Sequence, residues 1–321
     1  MLPELADPDV AAVLDRYRTA EFATLTKDGT PVAWPASPLF LPDTGQFVLT
    51  TSIGLPRKAY NIRRDPRVAL HFSDPTASGL TGAIRVLVQG EARVSDDVIT
   101  SPAGLEEWWI RSYERQPVNR GYTRNALTRR LMAWYYRRLV ITVTPTAVHT
   151  GPALPDAPWS PAPVPGAKDD VLVRTVRGFR GFSSAVLVAT DDAGRPWLTR
   201  VRPQPDAASR TLQIVVSEEE RIRPGRASLL CHSHDERLWS LRSAAVVGAL
   251  DGAGTDWTFT PERVLGSGGG PLGVVRQLRD LRRSSSGYLS RRGLTPPPIP
   301  WAEYEPLKAE AVRRSAGAAA R

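Results

Sequence analysis

Apolar and polar positions alternate in short runs through the first 150 residues. Residues 21–27 (EFATLTK) have the period of two expected of a strand, and Asp28-Gly29 follows as a turn signal. Residues 30–40 (TPVAWPASPLF) predict a second strand, residues 43–45 another turn, and residues 46–51 (QFVLTT) a third strand, together a meander of short antiparallel strands. A helix is predicted over residues 56–64, opened by Pro56 and stopped by Pro66. Residues 67–72 and 85–94 predict two more strands. Residues 101–138, rich in Trp, Arg and Leu, predict helix with a break near 116–121, and residues 139–148 predict a last strand.

Residues 151–166 (GPALPDAPWSPAPVPG) interrupt this pattern with six prolines. Proline fixes φ and lacks a backbone donor, so the stretch reads as a semi-rigid extended linker. After it the order returns. At a constant offset of 165, Gly29-Thr30-Pro31 falls on Gly194-Arg195-Pro196, Pro38 on Pro203, Phe47 on Leu212, Leu49 on Ile214 and Ser52 on Ser217. Further on, VLVQGEA (86–92) matches AAVVGAL (244–250), and ITVTPTAV (141–148) matches WTFTPERV (257–264). These matches keep one order and fall at strands or turns, which predicts duplication of one small β-rich domain. The helical insert of the first copy is nearly absent from the second. The expected division is 1–150 for the first domain, 151–169 for the linker, 170–265 for the second domain and 266–321 for a helical, proline-rich tail. A fold that usually makes a symmetric dimer is then built from one chain as an intrachain pseudo-dimer, free to lose one of its two sites.

Composition narrows the function. With 321 residues, 41% hydrophobic and 23% charged, the chain is ordinary for a globular protein and long enough for two domains. No run of eighteen apolar residues predicts a membrane span, and the first residues carry Glu4, Asp7 and Asp9 rather than a signal-peptide core. The single Cys231 excludes an internal disulfide framework and fits a cytoplasmic location. The net charge of +9 is less ordinary. It calls for a nucleic acid, a membrane surface or a small anionic ligand. No helix-turn-helix, zinc-finger or RNA-recognition motif is visible, so a small anion is favoured. Lysine is scarce, with Lys27, Lys58, Lys168 and Lys308 the only four among 42 basic residues.

The densest segment for chemistry is 48–75 (VLTTSIGLPRKAYNIRRDPRVALHFSDP). A strand ends in Thr50-Thr51-Ser52, and a loop with Gly54 enters a helix carrying Arg57 and Lys58. Hydroxyls, free backbone N–H groups and a helix N-terminus form an anion cradle, and Lys58 places a cation beside it. The competing reading is a capped surface loop with solvated Arg57 and Lys58.

Residues 20–94 resemble the split β-barrel flavin and deazaflavin oxidoreductases, the group related to pyridoxamine 5′-phosphate oxidase. The pattern is strand, D-G-x-P, strand, T-T-S, K-x-x-N-x-x-x-D-P-R-V and x-G-x-A, carried here by FATLTKDGTPVAWPASPLF, GQFVLTTSIGLPRKAYNIRRDPRVALHFSDP and VLVQGEARV. The resemblance covers residues 10–150 well and 170–265 more weakly, and nothing in 266–321. It implies a mainly β (α+β) fold of two tandem split β-barrels with peripheral helices, and a cofactor in the groove between barrels. Thr50, Thr51, Ser52 and Lys58 match the phosphate-holding positions, with Arg57 adjacent. Trp34, Pro35, Ala36 and Ser37 match the stretch along the isoalloxazine edge, and Gln89 a contact to ring or ribityl chain. The second copy has VSEEERIRPGR where the first has TTSIGLPRKAYN, and Glu218, Glu219 and Glu220 would repel a phosphate, although Ser217 and Arg223 fall on Ser52 and Lys58. One working site is therefore expected, in the first copy, with Trp197, Arg200 and Arg202 crossing over from the second.

The implied function is hydride transfer to or from a small organic substrate on FMN or a deazaflavin (coenzyme F-420); proteins of this family often contribute no essential acid or base, so the catalytic residue is unknown, and no metal is expected. A deazaflavin adds an acidic glutamyl tail, which Arg120, Arg124, Arg129 and Arg130 would suit; the alternative for these is the solvated face of an amphipathic helix. Trp34, Tyr60, Trp108, Trp109 and Trp134 are candidate ring-stacking walls. Cys231, His232 and His234, with His71 at a comparable point of the first copy, raise haem as an alternative cofactor, since some split-barrel relatives bind it. A non-catalytic cofactor- or nucleic-acid-binding protein is the third reading. A further homodimer, and the tail as a lid or partner contact, stay open.

Overall fold

The computed structural model describes residues 2–82, 84–236, 238, 242–265 and 271–319. The chain opens with α1 (Pro8–Arg16). The Asp7 side chain accepts from the N–H groups of Asp9 and Val10 at 2.9 and 3.2 Å, and Pro8 sits in the first turn where no donor is needed. Val10, Val13 and Leu14 recur at helical spacing and are buried. Then follow β1 (Ala20–Leu25), β2 (Pro31–Ala36), β3 (Leu39–Leu41), β4 (Gln46–Ser52), α2 (Arg57–Arg64), β5 (Arg67–Phe72) and β6 (Ile84–Val94). The insert α3 (Glu106–Arg115) and α4 (Ala126–Tyr136) precedes β7 (Arg138–Pro152). The break expected near 116–121 is a 3-10 segment, Pro117–Thr123.

The strands form one antiparallel sheet in the order β2-β1-β5-β6-β7-β4-β3. The single strand expected over 30–40 is thus two. β2 pairs with β1 at one edge and β3 with β4 at the other, split at Ser37-Pro38, where Pro38 has no N–H for a ladder. Three chain steps from Ala36 to Leu39 reach at most about 11 Å. The two edges must therefore lie side by side, which rolls the sheet into a split barrel.

The second half repeats the plan with α5 (Val171–Phe179), β8 (Ala185–Thr190), β9 (Pro196–Val201), β10 (Gln204–Asp206), β11 (Thr211–Val215), β12 (Gly225–Ser233), β13 (Arg242–Ala253) and β14 (Asp256–Leu265). Asp170 caps α5 as Asp7 caps α1, accepting from the Val173 N–H at 3.0 Å. The sheet order is β9-β8-β12-β13-β14-β11-β10, the first order with each strand seven later. Both hairpins turn at a left-handed glycine, Gly29 (φ 78°) and Gly194 (φ 70°). Both sheets also break register at a glycine, after Gln89 before Gly90 and after Val247 before Gly248. A Cβ there would meet a cross-strand carbonyl, Thr144 O at 2.5 Å from position 90 and Thr260 O at 2.0 Å from position 248. Identical strand order, turns and bulges fit a tandem duplication. Where the first half inserts α3 and α4, β13 and β14 are joined by a turn at Gly254-Thr255.

The period of two in β1 serves two cores. Ala20 and Phe22 face the interior of the first barrel with Phe47, Val68, Leu70 and Val88, while Ala23, with Ala33, Ala69 and Leu87, packs into the core of the second half. A barrel face that would otherwise meet water is small and apolar because the other barrel covers it. The linker is irregular after Pro152, yet Trp159 is buried and donates through Nε1 to the Pro203 carbonyl at 3.1 Å.

The tail carries α6 (Pro271–Ser290) and α7 (Tyr304–Ala319) and returns to the first half. Tyr288 and Leu289 pack on Ile53, Ala59 and Leu139. Tyr304 meets Trp109 edge-on at 5.0 Å and donates to the Thr100 carbonyl at 2.6 Å. The glycine-rich run 266–270 and the side chains of Leu272 and Val275, expected to open an amphipathic helix, lie outside the described residues. Among the described residues, no helix is long and apolar enough to cross a membrane.

Candidate cofactor-binding site

A pocket of about 260 Å³ lies beside the end of β4. Its lining includes Pro35, Ala36 and Ser37 of the β2 end, Thr50, Thr51 and Ser52 of β4, and Lys58 of α2. The structure thus brings together seven of the residues singled out in the sequence. Trp34 lies next to them, with its ring 5.3 Å from Lys58 Nζ.

The hydroxyls of β4 organise the pocket rather than standing free in it. Ser52 Oγ donates to the Trp134 carbonyl at 2.5 Å and accepts the Gly54 N–H at 3.0 Å. Thr51 Oγ1 donates to the Leu55 carbonyl at 3.0 Å. Gly54 is required by close packing, since a Cβ there would lie 2.9 Å from Trp134 Cε3 and 3.0 Å from Leu281 O. Thr50 Oγ1 accepts from Arg138 Nε, which fixes a second cation in the wall.

Arg138 is the residue that local sequence did not single out. It opens β7 directly opposite Ser52, so strand register alone carries it into the pocket. Its guanidinium lies 4.8 Å from the Trp108 ring and 4.6 Å from the Tyr135 ring. Among the described residues neither Lys58 nor Arg138 has a carboxylate partner, and no acidic side chain lines the pocket. Burial, and then the nearby Arg138 charge, push the Lys58 ammonium down to about 8. Trp134 also lines the pocket, and its buried Nε1–H has no acceptor. Two uncompensated cations and an orphaned donor in one acid-free pocket suit an anionic, oxygen-rich ligand. The donor set fits the phosphate arm of a flavin-type cofactor.

The other predicted residues lie elsewhere. Arg57 is exposed outside the pocket. Gln89 is fully buried and donates to Asp191 Oδ2 at 3.1 Å and the Pro196 carbonyl at 2.9 Å, joining the barrels. Arg202 donates to the carbonyls of Ser183 and Pro155 and so holds the linker. Trp108 and Trp134 line the pocket, whereas Trp109 is core and Tyr60 stacks on Tyr288. Arg124 and Arg130 are exposed, Arg129 lies 3.8 Å from Glu305, and Arg120 belongs to a separate cleft.

At the corresponding place in the second half the charge is reversed. Hairpin register puts Thr199 where β2 has Trp34. Against it lies Glu220 rather than a lysine. Its side chain is 2% exposed, with Arg85 NH2 at 2.6 Å, Trp197 Nε1 donating at 2.6 Å and Thr199 Oγ1 at 2.9 Å. Trp197 therefore serves the second half's own loop. Arg223, aligned by offset with Lys58, is exposed and pairs with Asp192.

Arg200 crosses between the halves but ends in a buried network. It contacts Glu21 Oε1 at 2.8 Å and donates to Ser73 Oγ at 2.7 Å and Ser184 Oγ at 2.8 Å. His232 Nε2 lies 2.5 Å from Glu21 Oε1 and His71 Nδ1 3.1 Å from Oε2. Burial pushes the Glu21 carboxyl up, but Arg200 and the two histidines overcome it and hold the group well below its usual range. Cys231 is buried in the second core, which raises its thiol, and His234 faces Thr19 and Asp74. Of these groups, raised in the sequence as haem ligands, His232 and His234 are engaged across the interface, His71 contacts Glu21 within the first half and Cys231 lies in the second core. Among the described residues no cluster of three His, Cys, Asp or Glu side chains is arranged to hold a metal.

Residues 6–150 match the sequence profile of the family described as Pyridoxamine 5'-phosphate oxidase. No curated protein sequence matches the chain. Solved structures similar to it include an F420 reductase, 21% identical over 43% of this chain and 94% of its own, with a TM-score of 0.27. Two others are the heme storage protein HutZ of Vibrio cholerae (12% identical, 46% of this chain, 96% of its own, TM-score 0.32) and General Stress Protein 26 of Bacillus anthracis (14%, 46%, 93%, 0.31). The first half thus matches the pyridoxamine 5′-phosphate oxidase family of split barrels over residues 6–150, and the repeated sheet after it fits a tandem duplication of that fold.

Proposed function

We propose that the protein is a flavin- or deazaflavin-dependent oxidoreductase acting on a small organic substrate, with one cofactor site per chain, in the first half. The observation that carries this reading is the acid-free pocket in which Lys58, Arg138 and the orphaned Trp134 N–H converge. A flavin-type ring, when bound, supplies hydride transfer. The chain's residues bind and orient it. Lys58 and Arg138 would neutralise its phosphate, and Trp134 Nε1 would donate to one of its oxygens. Thr50 holds Arg138 in place, Trp108 keeps water from one wall, and Pro35–Ser37 would border the bound group. The pocket falls just below the roughly 300–1,000 Å³ usual for small-molecule sites, so it would suit the phosphate arm of such a group.

Absorbance and calorimetry test this. The full chain is expected to take up one equivalent of FMN or deazaflavin and to show its visible band. Lys58→Glu is expected to abolish uptake while circular dichroism stays unchanged. A native protein that binds neither cofactor, or a Lys58→Glu variant of unchanged affinity, overturns the reading.

A further inference from the structure

The second half completes one wall of the cofactor pocket. Leu238 lines the pocket directly, and His234, a few residues before it, lies behind Thr19, which lines the pocket from the first half. Thr19 precedes β1 and is buried, and the His234 side chain is fully buried. Thr19 Oγ1 lies 3.3 Å from His234 Nε2. Among the described residues this hydroxyl has no second hydrogen-bond partner.

The other ring nitrogen fixes where the proton sits. His234 Nδ1 lies 3.0 Å from the Asp235 carbonyl oxygen, which can only accept, so Nδ1 carries hydrogen. In the neutral ring Nε2 is then a bare acceptor, and the Thr19 O–H is spent on it. Protonation reverses the contact. Nε2–H becomes a donor, with Thr19 Oγ1 at 3.3 Å and Asp74 Oδ2 at 3.6 Å to receive it. With either acceptor the Thr19 hydrogen is released, and a group in the pocket is the acceptor left to it.

The charges around the ring come from both halves. Asp74 follows β5, and Arg200 of β9 stands 3.9 Å from its carboxylate. Arg18 precedes Thr19 and feels the charge of Glu236, which follows Asp235. His232, on the same strand end, is bonded to Glu21. Burial pushes the Asp74 carboxyl up, but Arg200, the bonds from Thr76 and His232 overcome it, so Asp74 is ionised at neutral pH. Burial holds His71 and His149 below the usual histidine range and pushes the Tyr17 phenol up to about 12.

We propose that Thr19 is a further ligand-binding residue of the pocket and that His234, from the second half, sets when it acts: with the imidazole protonated, the Thr19 O–H donates to an anionic oxygen of the bound group. The proposal rests on the pocket's being an anion site. By linkage, an anion in the pocket favours the protonated imidazole in return. The second half thus acts on the one site, although Glu220 stands where its own lysine would be.

Sulfate is the probe, because its charge is constant where histidine titrates. Calorimetry on the full chain compares about pH 7 with about pH 5.5, a range in which Lys58, with its pKa of about 8, stays charged. Affinity is expected to be roughly three- to tenfold higher at the lower pH. Thr19→Val and His234→Gln are expected to lose this rise and Thr19→Ser to keep it. Lys58→Glu is expected to bind no sulfate at either pH, which ties the signal to this pocket. In proton NMR the His234 resonance, assigned among the four histidines by its loss in His234→Gln, is expected to titrate at higher pH with sulfate bound in the native chain but not in Thr19→Val. Equal affinity at the two pH values, or a rise that survives in Thr19→Val, overturns the proposal and leaves the anion pocket standing. No sulfate binding by the native chain at either pH overturns both. If Thr19→Val does not fold, His234→Gln reads the same loss.

Discussion

Lys58 is a charge held where charge is unfavourable. At pH 7 it is protonated in both folded and unfolded chains, but burial and Arg138 disfavour the charged form only in the fold, taking its pKa from 10.5 to about 8. The unfolded chain binds the extra proton between those two values, so this group's penalty is full below pH 8 and fades as pH rises to 10.5. Lys58→Met is therefore expected to stabilise the protein near pH 7, by about 1–3 kcal/mol, with a smaller gain at pH 10 and with phosphate binding lost. Denaturant unfolding at the two pH values, with a parallel phosphate titration, checks this. A variant less stable than native at pH 7 would make Lys58 structural. Glu220 is the opposite case, because it satisfies Arg85, Trp197 and Thr199 together. Glu220→Gln is expected to cost about 3 kcal/mol by leaving Arg85 buried without its counter-charge. Millimolar phosphate should restore part of that loss, since the bared donors form an anion site. Thermal unfolding with and without phosphate reads both effects, and a melting temperature indifferent to phosphate argues against a latent site.

At the scale of elements, the duplication is written in its constrained glycines. Gly248→Ala places a methyl 2.0 Å from Thr260 O and 2.9 Å from Phe259 Cζ, while Gly90→Ala meets Thr144 O at 2.5 Å. Both should destabilise by about 2–4 kcal/mol, the former more, because a bulge backbone pinned by two neighbours relaxes least. Urea midpoints of the two variants rank them, and native-like midpoints would mean the bulges yield. Such features were legible because they are local: alternation marked β1, β4 and β5, and Gly-containing turns marked the hairpins. The division of 30–40 into β2 and β3 was not, because its cause is barrel closure between strands far apart in the sheet. α1 and α5 escaped notice because no proline closes them as Pro66 closes α2, and α7 because its buried positions, Tyr304 and Ala311, are sparse. The pocket divides the same way. Thr50-Thr51-Ser52 and Lys58 sit within nine residues of one another, whereas Arg138 joins them through β4–β7 register across 80 residues of chain. Gln89 and Arg200 lie on strands that do face the other half, but they end on Asp191 and on Glu21 rather than in the pocket, and Trp197 donates to Glu220 of its own half.

On the scale of the whole molecule, the two barrels are joined by a dry patch and by charged contacts that include the Arg85–Glu220 and Arg200–Glu21 pairs. Ala23, Ala33, Ala69 and Leu87 enter the second core, and at the edge of that patch Arg200 reaches from β9 to Glu21 on β1. The side chains are 9% and 1% exposed, so water cannot take over for either partner. Arg200→Met removes the cation and leaves a buried carboxylate with two histidines, which should cost about 3–5 kcal/mol at neutral pH. The sign with pH follows from Glu21. Its folded pKa lies well below the unfolded 4.5, so its contribution is present above that value and lost as pH falls beneath it. The variant lacks most of that contribution, so the gap between native and Arg200→Met should narrow on acidification below about pH 4.5. Adding Glu21→Gln should recover stability at pH 7, because the charge leaves with its partner. A double-mutant cycle measured by denaturant unfolding at pH 7 and pH 4 reads the coupling. Additive losses at both values would mean that Glu21 and Arg200 are not coupled. A coupling that fades in acid would make the Glu21–Arg200 pair a specific contact that sets one barrel against the other, and with it the place of Leu238, which the second half contributes to the candidate pocket.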